Sequence, residues 1–335
     1  MFITLVVAFV VASGCSDSEA IPLGGISPSV LNAAGAANVS GTLYVANPLS
    51  SAVLRFRAAD TGNDISPQAI LSGGSTRLNR PTQLVADTSR NLLYVLDDAR
   101  VLVFASASST GGNVAPVHVI LPSTPGAQAI AVDTASDVLY LGHSASGGIT
   151  SYDGASALDG QVGPARVLAG ASTGLVSPFG LAIGAANRLV FTDMTSNLLA
   201  TYDGASARSG DIAPDRALAG VAAQLVDPFG VCVDGTGALI VGDIASLALS
   251  VFPAAATGNV GPSARVGSAS TLLTDPRQLA CADGATVYVA DGASGFIKCY
   301  QANDLRAGHG APVRAFSATS AGMSIPTGIA HDPTR

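Results

Sequence analysis

PTQLVADTSRNLLYVLDDARVLVFASASSTGGNVAPVHVIL (residues 81–121) contains four short apolar, β-branched runs separated by polar or glycine-rich turns. PTQLVAD (81–87), LLYVLDD (92–98), VLVFAS (101–106) and VHVIL (117–121) have the length and bounding residues of strands. Glycine and proline interrupt every window long enough for a helix. The unit recurs along the chain. A glycine followed four or five residues later by proline appears at Gly62/Pro67, Gly112/Pro116, Gly160/Pro164, Gly210/Pro214, Gly258/Pro262 and Gly308/Pro312. The glycines are 50, 48, 50, 48 and 50 residues apart. A period of this size marks units that cannot bury their apolar faces alone.

Four strands in each of six repeats predict an all-β chain, a six-bladed β-propeller. The second strand of each blade reads TLYVAN (42–47), LLYVLD, VLYLGH (138–143), LVFTD (189–193), LIVGD (239–243) and VYVAD (287–291). First strands begin after Pro81, near Gly126, and after Pro178, Pro228, Pro276 and Pro326. The first repeat lacks a first strand, whereas the chain ends in an unpaired one, PTGIAHD (326–332). The C-terminal strand is therefore expected to close the first blade, which removes open sheet edges. PSVLN (28–32) is a poorer supplier, because its gap to the next strand is longer.

PFGVCVDGTGALIVGD (228–243), PTGIAHD and the third-strand ending VFP (251–253) resemble the blade of NHL-repeat and related TolB-like six-bladed propellers. The GNVAP tail (112–116), with Arg166, Arg216, Arg265 and Arg314 near equivalent prolines, is similar to a repeat found in bacterial lipoproteins. The resemblance spans residues 38–335 and implies architecture rather than activity, since propellers host many functions. The arginines are expected to be solubilising charges guarding the outer strand edge.

Residues 1–14, MFITLVVAFVVASG, form an apolar run too short to span a bilayer and suited to a signal peptide. The VASGC ending is similar to a lipobox, which makes Cys15 the lipidated residue and residues 15–37 a flexible tether. Ser16 favours the outer membrane of the bacterial cell envelope by the same likeness; a secreted or periplasmic protein is the alternative. The remaining charge is carried by aspartate and arginine, because glutamate occurs only at Glu19 and lysine only at Lys298. A formal charge of −7 argues against nucleic acid or an anionic membrane surface as partner, leaving the lipid anchor as the membrane contact. Cys281 and Cys299 fall on strands two places apart, roughly 9.5 Å, too far for a disulfide. Cys232 and Cys281 lie on adjacent innermost strands one register step apart. They are expected to be buried thiols, with a bridge as the alternative.

Two sets of aspartates recur. Asp87, Asp133, Asp234 and Asp332 end first strands, where aspartate caps a tight turn with its own side chain. Asn47, Asp97, His143, Asp193, Asp243 and Asp291 end second strands and would circle the channel mouth, with Gln83, Gln128, Phe179, Phe229, Gln278 and Thr327 nearer the axis. Such a ring suits Ca²⁺ or a polar ligand, although blade repetition generates it without one. His331 replaces an apolar neighbour in the last innermost strand; His118, His143 and His309 form no HExxH or close pair. Gluconolactonase-type relatives would require a first-blade glutamate, and amidating-lyase relatives several channel histidines; neither set is present. GASTG (170–174) matches GxSxG as a string, but no helical run follows it as a nucleophile elbow requires, and no phosphate loop occurs.

These residues favour a non-catalytic envelope propeller that binds a protein, glycan or small ligand at its channel-mouth face. The first alternative is a metal-dependent, lactonase-like hydrolase with Asp193, Asp243, Asp291 and His331 near a channel cation. The second is a structural repeat protein of the envelope.

Overall fold

The computed structural model describes residues 39–282 and 284–334. The signal peptide, Cys15 and the tether lie outside the described residues. Six sheets, each with four antiparallel strands, follow one another as blades. Their innermost strands are Gly328–Asp332, Pro81–Asp87, Ala127–Asp133, Pro178–Gly184, Pro228–Val233 and Pro276–Ala282, for blades one to six. Blade one is completed as expected: Gly328–Asp332 pairs antiparallel with Thr42–Asn47, Ile329 opposite Val45 and Asp332 opposite Thr42.

Alternation of side chains across each strand makes this arrangement stable. In Thr42–Asn47, Leu43 and Val45 face blade six, joining Tyr288, Ile297 and Phe316, while Tyr44 and Ala46 face blade two, joining Leu93, Val95 and Phe104. Four further clusters fill the remaining gaps between blades, so every sheet is buried on both faces. Phe56 and Phe316 meet across the closure with ring centroids 4.8 Å apart. Each fully buried residue of this size contributes about 1.5–3 kcal/mol relative to exposure, and the closure gap holds a buried cluster like those between the other blades.

The glycine of the repeat marker has a structural cause that the period alone did not disclose. Gly62, Gly112, Gly160, Gly210, Gly258 and Gly308 all have positive φ, between 69° and 121°, a region open to glycine at little cost. At the first five of these the loop after the third strand turns back and runs parallel to the outermost strand of the preceding blade. Gly112 bridges Leu71, Gly210 bridges Leu168, Gly258 bridges Leu218 and Gly62 bridges Phe316. Gly160–Val162 extends this contact into a fifth, parallel strand on His118–Pro122. A polar residue just after the glycine then caps a short 3₁₀ turn in that preceding blade. Asn113 accepts the Ser75 N–H (2.7 Å), Asp211 that of Ser172 (2.7 Å), Asn259 that of Ala222 (2.8 Å) and Asp64 that of Ser320 (2.6 Å).

Edge protection therefore comes chiefly from these clasps. The arginines have individual roles: Arg166 pairs with Asp153, Arg216 with Asp203 (2.8 Å), and Arg314 is buried beside Tyr288. Arg265 is exposed.

Candidate functional site

The second-strand ring is assembled as the spacing indicated, but its polar atoms serve the fold. Asp193 is fully buried and accepts the N–H groups of Val176 (2.7 Å), Ser177 (2.6 Å) and Ser196 (2.9 Å), plus the Ser196 hydroxyl (2.8 Å). Asp243 repeats the pattern on Val226, Asp227 and Ser246. Asp97 accepts from the amides of Asn79 (2.9 Å) and Arg80 (2.6 Å) and pairs with Arg100 (2.9 Å). Asp291 holds Thr274, Asp275 and Ser294 and is ion-paired with the chain's single lysine, Lys298, itself buried. Asn47 donates to Ser50 (2.6 Å) and to the Gly322 carbonyl (2.5 Å). His143 bridges the Pro125 carbonyl (3.1 Å) and Thr150 Oγ1 (2.7 Å), and burial holds its imidazole below the usual histidine range despite the carbonyl.

Each member thus clamps the segment that leads into an innermost strand, because buried amides demand acceptors. Among the described residues, no group of three His, Cys, Asp or Glu side chains is arranged to hold a metal ion. The first-strand aspartates cap their turns: Asp87 accepts from Ser89 and Arg90, Asp133 from Ala135 and Ser136, Asp234 from Thr236 and Ala238, and Asp332 from Thr334.

The six axial candidates do not form one ring. Every innermost strand whose opening residue is paired shows a register shift after it, and the pairing aligns Gln83 with Ala129 and Gly180. Gln83 and Gln278 occupy the third position, and Gln128, Phe179, Phe229 and Thr327 the second. Thr82 and Arg277 complete the second-position ring; comparing offsets from the strand-opening proline would have found them. At the mouth, Phe179 and Phe229 stack with centroids 5.0 Å apart. Arg277 lies 5.2 Å over the Phe229 ring and is ion-paired with Asp275 (2.8 Å). On the same face, ahead of innermost strands or just after Asn47, Leu49, Val176, Val226 and Ile325 are exposed.

One level deeper, the two glutamines span the channel. Gln278 Oε1 accepts the N–H of Leu84 (3.0 Å) and of Ile329 (2.9 Å), and its Nε2 donates to the Leu84 carbonyl (2.9 Å). Gln83 Oε1 accepts the Ile130 N–H (3.1 Å) and its Nε2 donates to the Phe179 carbonyl (2.8 Å). Below them a cavity of about 300 Å³ is lined by the fourth to sixth residues of all six innermost strands. Fourth-position residues such as Leu84, Ile130 and Ile329 are buried, whereas Ala86, Ile183, Val233 and Cys281 at the sixth are half-buried. The cavity is therefore open at the end away from the aromatic mouth, toward the turns between first and second strands.

His331 stands at this far end. Its Nε2 is 3.1 Å from the Ser40 carbonyl and its ring stacks on Tyr288 at 5.8 Å. It is not brought together with Asp193, Asp243 and Asp291, which end second strands at the mouth side. Cys232 and Cys281 form a disulfide in the cavity wall, Cα atoms 5.6 Å apart, rather than two thiols. The one-step register offset is taken up by the stagger between neighbouring blades, which brings the two backbones within bridging distance. Cys299 remains a buried thiol, and burial pushes it up to about 12.

No profile of a known protein family matches the chain, and no curated protein is significantly similar in sequence. Among solved structures, a chain of the nidogen/laminin complex superimposes with a TM-score of 0.58 at 15% identity, covering 87% of this chain and 98% of its own. The class defined by architecture is a six-bladed β-propeller, and at this identity the likeness concerns the fold alone.

Proposed function

We propose that the chain is a non-catalytic binding propeller of the NHL-like kind, held in the bacterial cell envelope through Cys15, and that its aromatic mouth engages a protein partner. The stacked Phe179–Phe229 pair beneath the Arg277 guanidinium carries this reading. Aromatic side chains and arginine concentrate binding energy at protein interfaces. Phe179 is half-buried and Phe229 buried under Arg277, and the exposed Val176 and Val226, just ahead of the same two strands, add apolar surface on that face.

Two observations support the setting. The Cys232–Cys281 disulfide suits an oxidising compartment outside the cytoplasm. The chain enters the ring at Val39 and Ser40, beside His331 on the end opposite the mouth. A tether leaving there would turn the aromatic face away from the membrane and toward partners. The similar solved chain belongs to a nidogen/laminin complex, which is compatible with this use of the fold. The engaged aspartates and the distant His331 favour binding over hydrolysis.

The test is crosslinking in envelope preparations with wild type, Phe229→Ser, Arg277→Ala and, as a control at the far end, Val233→Thr. A partner protein captured by wild type and the control but lost with both mouth variants is the expected result. Equal capture by all four, or bound divalent metal with hydrolytic turnover, would refute it.

A further inference from the structure

The far end of the channel is a second concave site, separated from the aromatic mouth by the two glutamines. Its wall has unusual chemistry. Innermost strands pair with a neighbour along one edge only, so their other edge faces the axis. Gln278 demonstrates which groups face inward, because it takes both the N–H and the carbonyl of Leu84 and the N–H of Ile329. Both are fourth-position residues. Backbone direction repeats every two residues in a strand, so the sixth-position N–H and carbonyl groups point to the axis as well. These belong to Ala86, Val132, Ile183, Val233, Cys281 and His331, the lower rim of the cavity. The wall between them is aliphatic, and His331 is its titratable side chain, with Nε2 turned to Ser40.

We propose that this cavity binds a small neutral ligand carrying a carboxamide, such as a short peptide. The two glutamine side chains are the internal precedent: each carboxamide oxygen accepts strand-edge N–H groups, and each nitrogen donates to a carbonyl. The next two residues down each strand repeat the same donor and acceptor edge without a glutamine at that level. A volume of about 300 Å³ lies at the small end of ligand pockets. An ion is disfavoured, because no carboxylate, lysine or arginine lines the cavity to offset its desolvation. The Cys232–Cys281 bridge holds two of the six edges at fixed separation, so the site is preformed between blades five and six.

Amide chemical shifts of the full chain test this during titration with acetyl-glycyl-glycinamide, glucose and acetate. The expected result is saturable shifts at Ala86, Val132, Ile183 and Val233 with the peptide, and no comparable response to the other two. Val233→Trp and Ala86→Trp, which narrow the cavity, should each weaken binding by about tenfold or more, the equivalent of one good hydrogen-bonded contact. In Gln278→Ala the amides of Leu84 and Ile329 lose their internal partner and should join the responding set. Phe229→Ser, on the opposite face, should leave the titration unchanged; this separates the site from the proposed partner surface. Shifts that do not saturate, that arise only at the aromatic mouth, or that are matched by glucose or acetate would overturn the proposal. Should both tryptophan variants fail to fold, the Gln278→Ala response and the ligand comparison still decide it.

Discussion

Replacing Gly230 by alanine would place a methyl carbon 2.0 Å from the Arg277 carbonyl oxygen and 2.7 Å from Leu279 Cδ1. Real Cβ contacts stay above 3.0 Å, so that oxygen must retreat by about 1 Å. The leucine methyl can swing aside, but the carbonyl is backbone and carries the whole innermost strand of blade six with it. Two residues after Gly230, the Cys232–Cys281 bridge ties the same two strands together, so they cannot separate freely. Inserting a methyl group into such a contact costs about 1–3 kcal/mol, with the upper end appropriate where backbone must move. For a domain of this size that corresponds to a fall in melting temperature of roughly 1.5–2 °C per kcal/mol. Gly184→Ala is the matched control. Its φ is −99°, and its nearest neighbours are Val233 methyls at 3.7 Å, so it should be neutral or stabilising by about 0.4–1 kcal/mol through reduced freedom of the unfolded chain. Thermal unfolding under non-reducing conditions compares the two. Combining Gly230→Ala with Cys281→Ser releases the tie and should recover part of the loss, a coupling of about 0.5 kcal/mol or more. Equal melting of Gly230→Ala and Gly184→Ala would refute the close-approach argument.

Asp193→Ala strips a buried acceptor from the amides of Val176, Ser177 and Ser196 and should cost about 2–3 kcal/mol; urea unfolding measures it, and an unchanged midpoint would contradict the clamp. Asn259→Ala removes the cap that blade five lends to Ala222 in blade four and should destabilise by about 1 kcal/mol, read as a lower urea midpoint with a similar slope. Acid sensitivity follows from Asp87 and Asp133. Burial pushes both upward, but Ser89 and Arg90 around Asp87, and Asn187 and Ser136 around Asp133, outweigh it and hold both carboxyls below the usual range. Because their folded values lie below the unfolded value of about 3.9, the stability they supply is complete above that pH and is lost as pH falls through the folded values. Asp87→Asn should therefore flatten the acid limb of a stability–pH profile below about pH 4; a limb as steep as wild type would refute that assignment.

Blade number, strand order and ring closure were legible because they depend on patterns local to each repeat. Alternating apolar runs, turn residues and a regular glycine interval recur within one unit, and a terminal strand without a partner specifies its own destination. The turn-capping role of Asp87, Asp133, Asp234 and Asp332 was legible for the same reason, since the acceptor and its amides lie within four residues. The mouth is legible only in part. Topology sets the face on which the second strands end, but nothing in their own sequence says that their oxygens are consumed by amides some seventeen residues earlier.

What the chain determines by itself is the ring: six amphipathic sheets that must cover one another's faces, a requirement set by composition and period alone. What only the tertiary structure decided involves groups brought together from different blades. These are the glutamines that divide the channel, the caps lent by one blade to the one before it, the Cys232–Cys281 bridge, and the end at which the cavity opens. Each depends on the stagger and separation of neighbouring sheets, which side-chain packing between the blades sets and which no single repeat encodes.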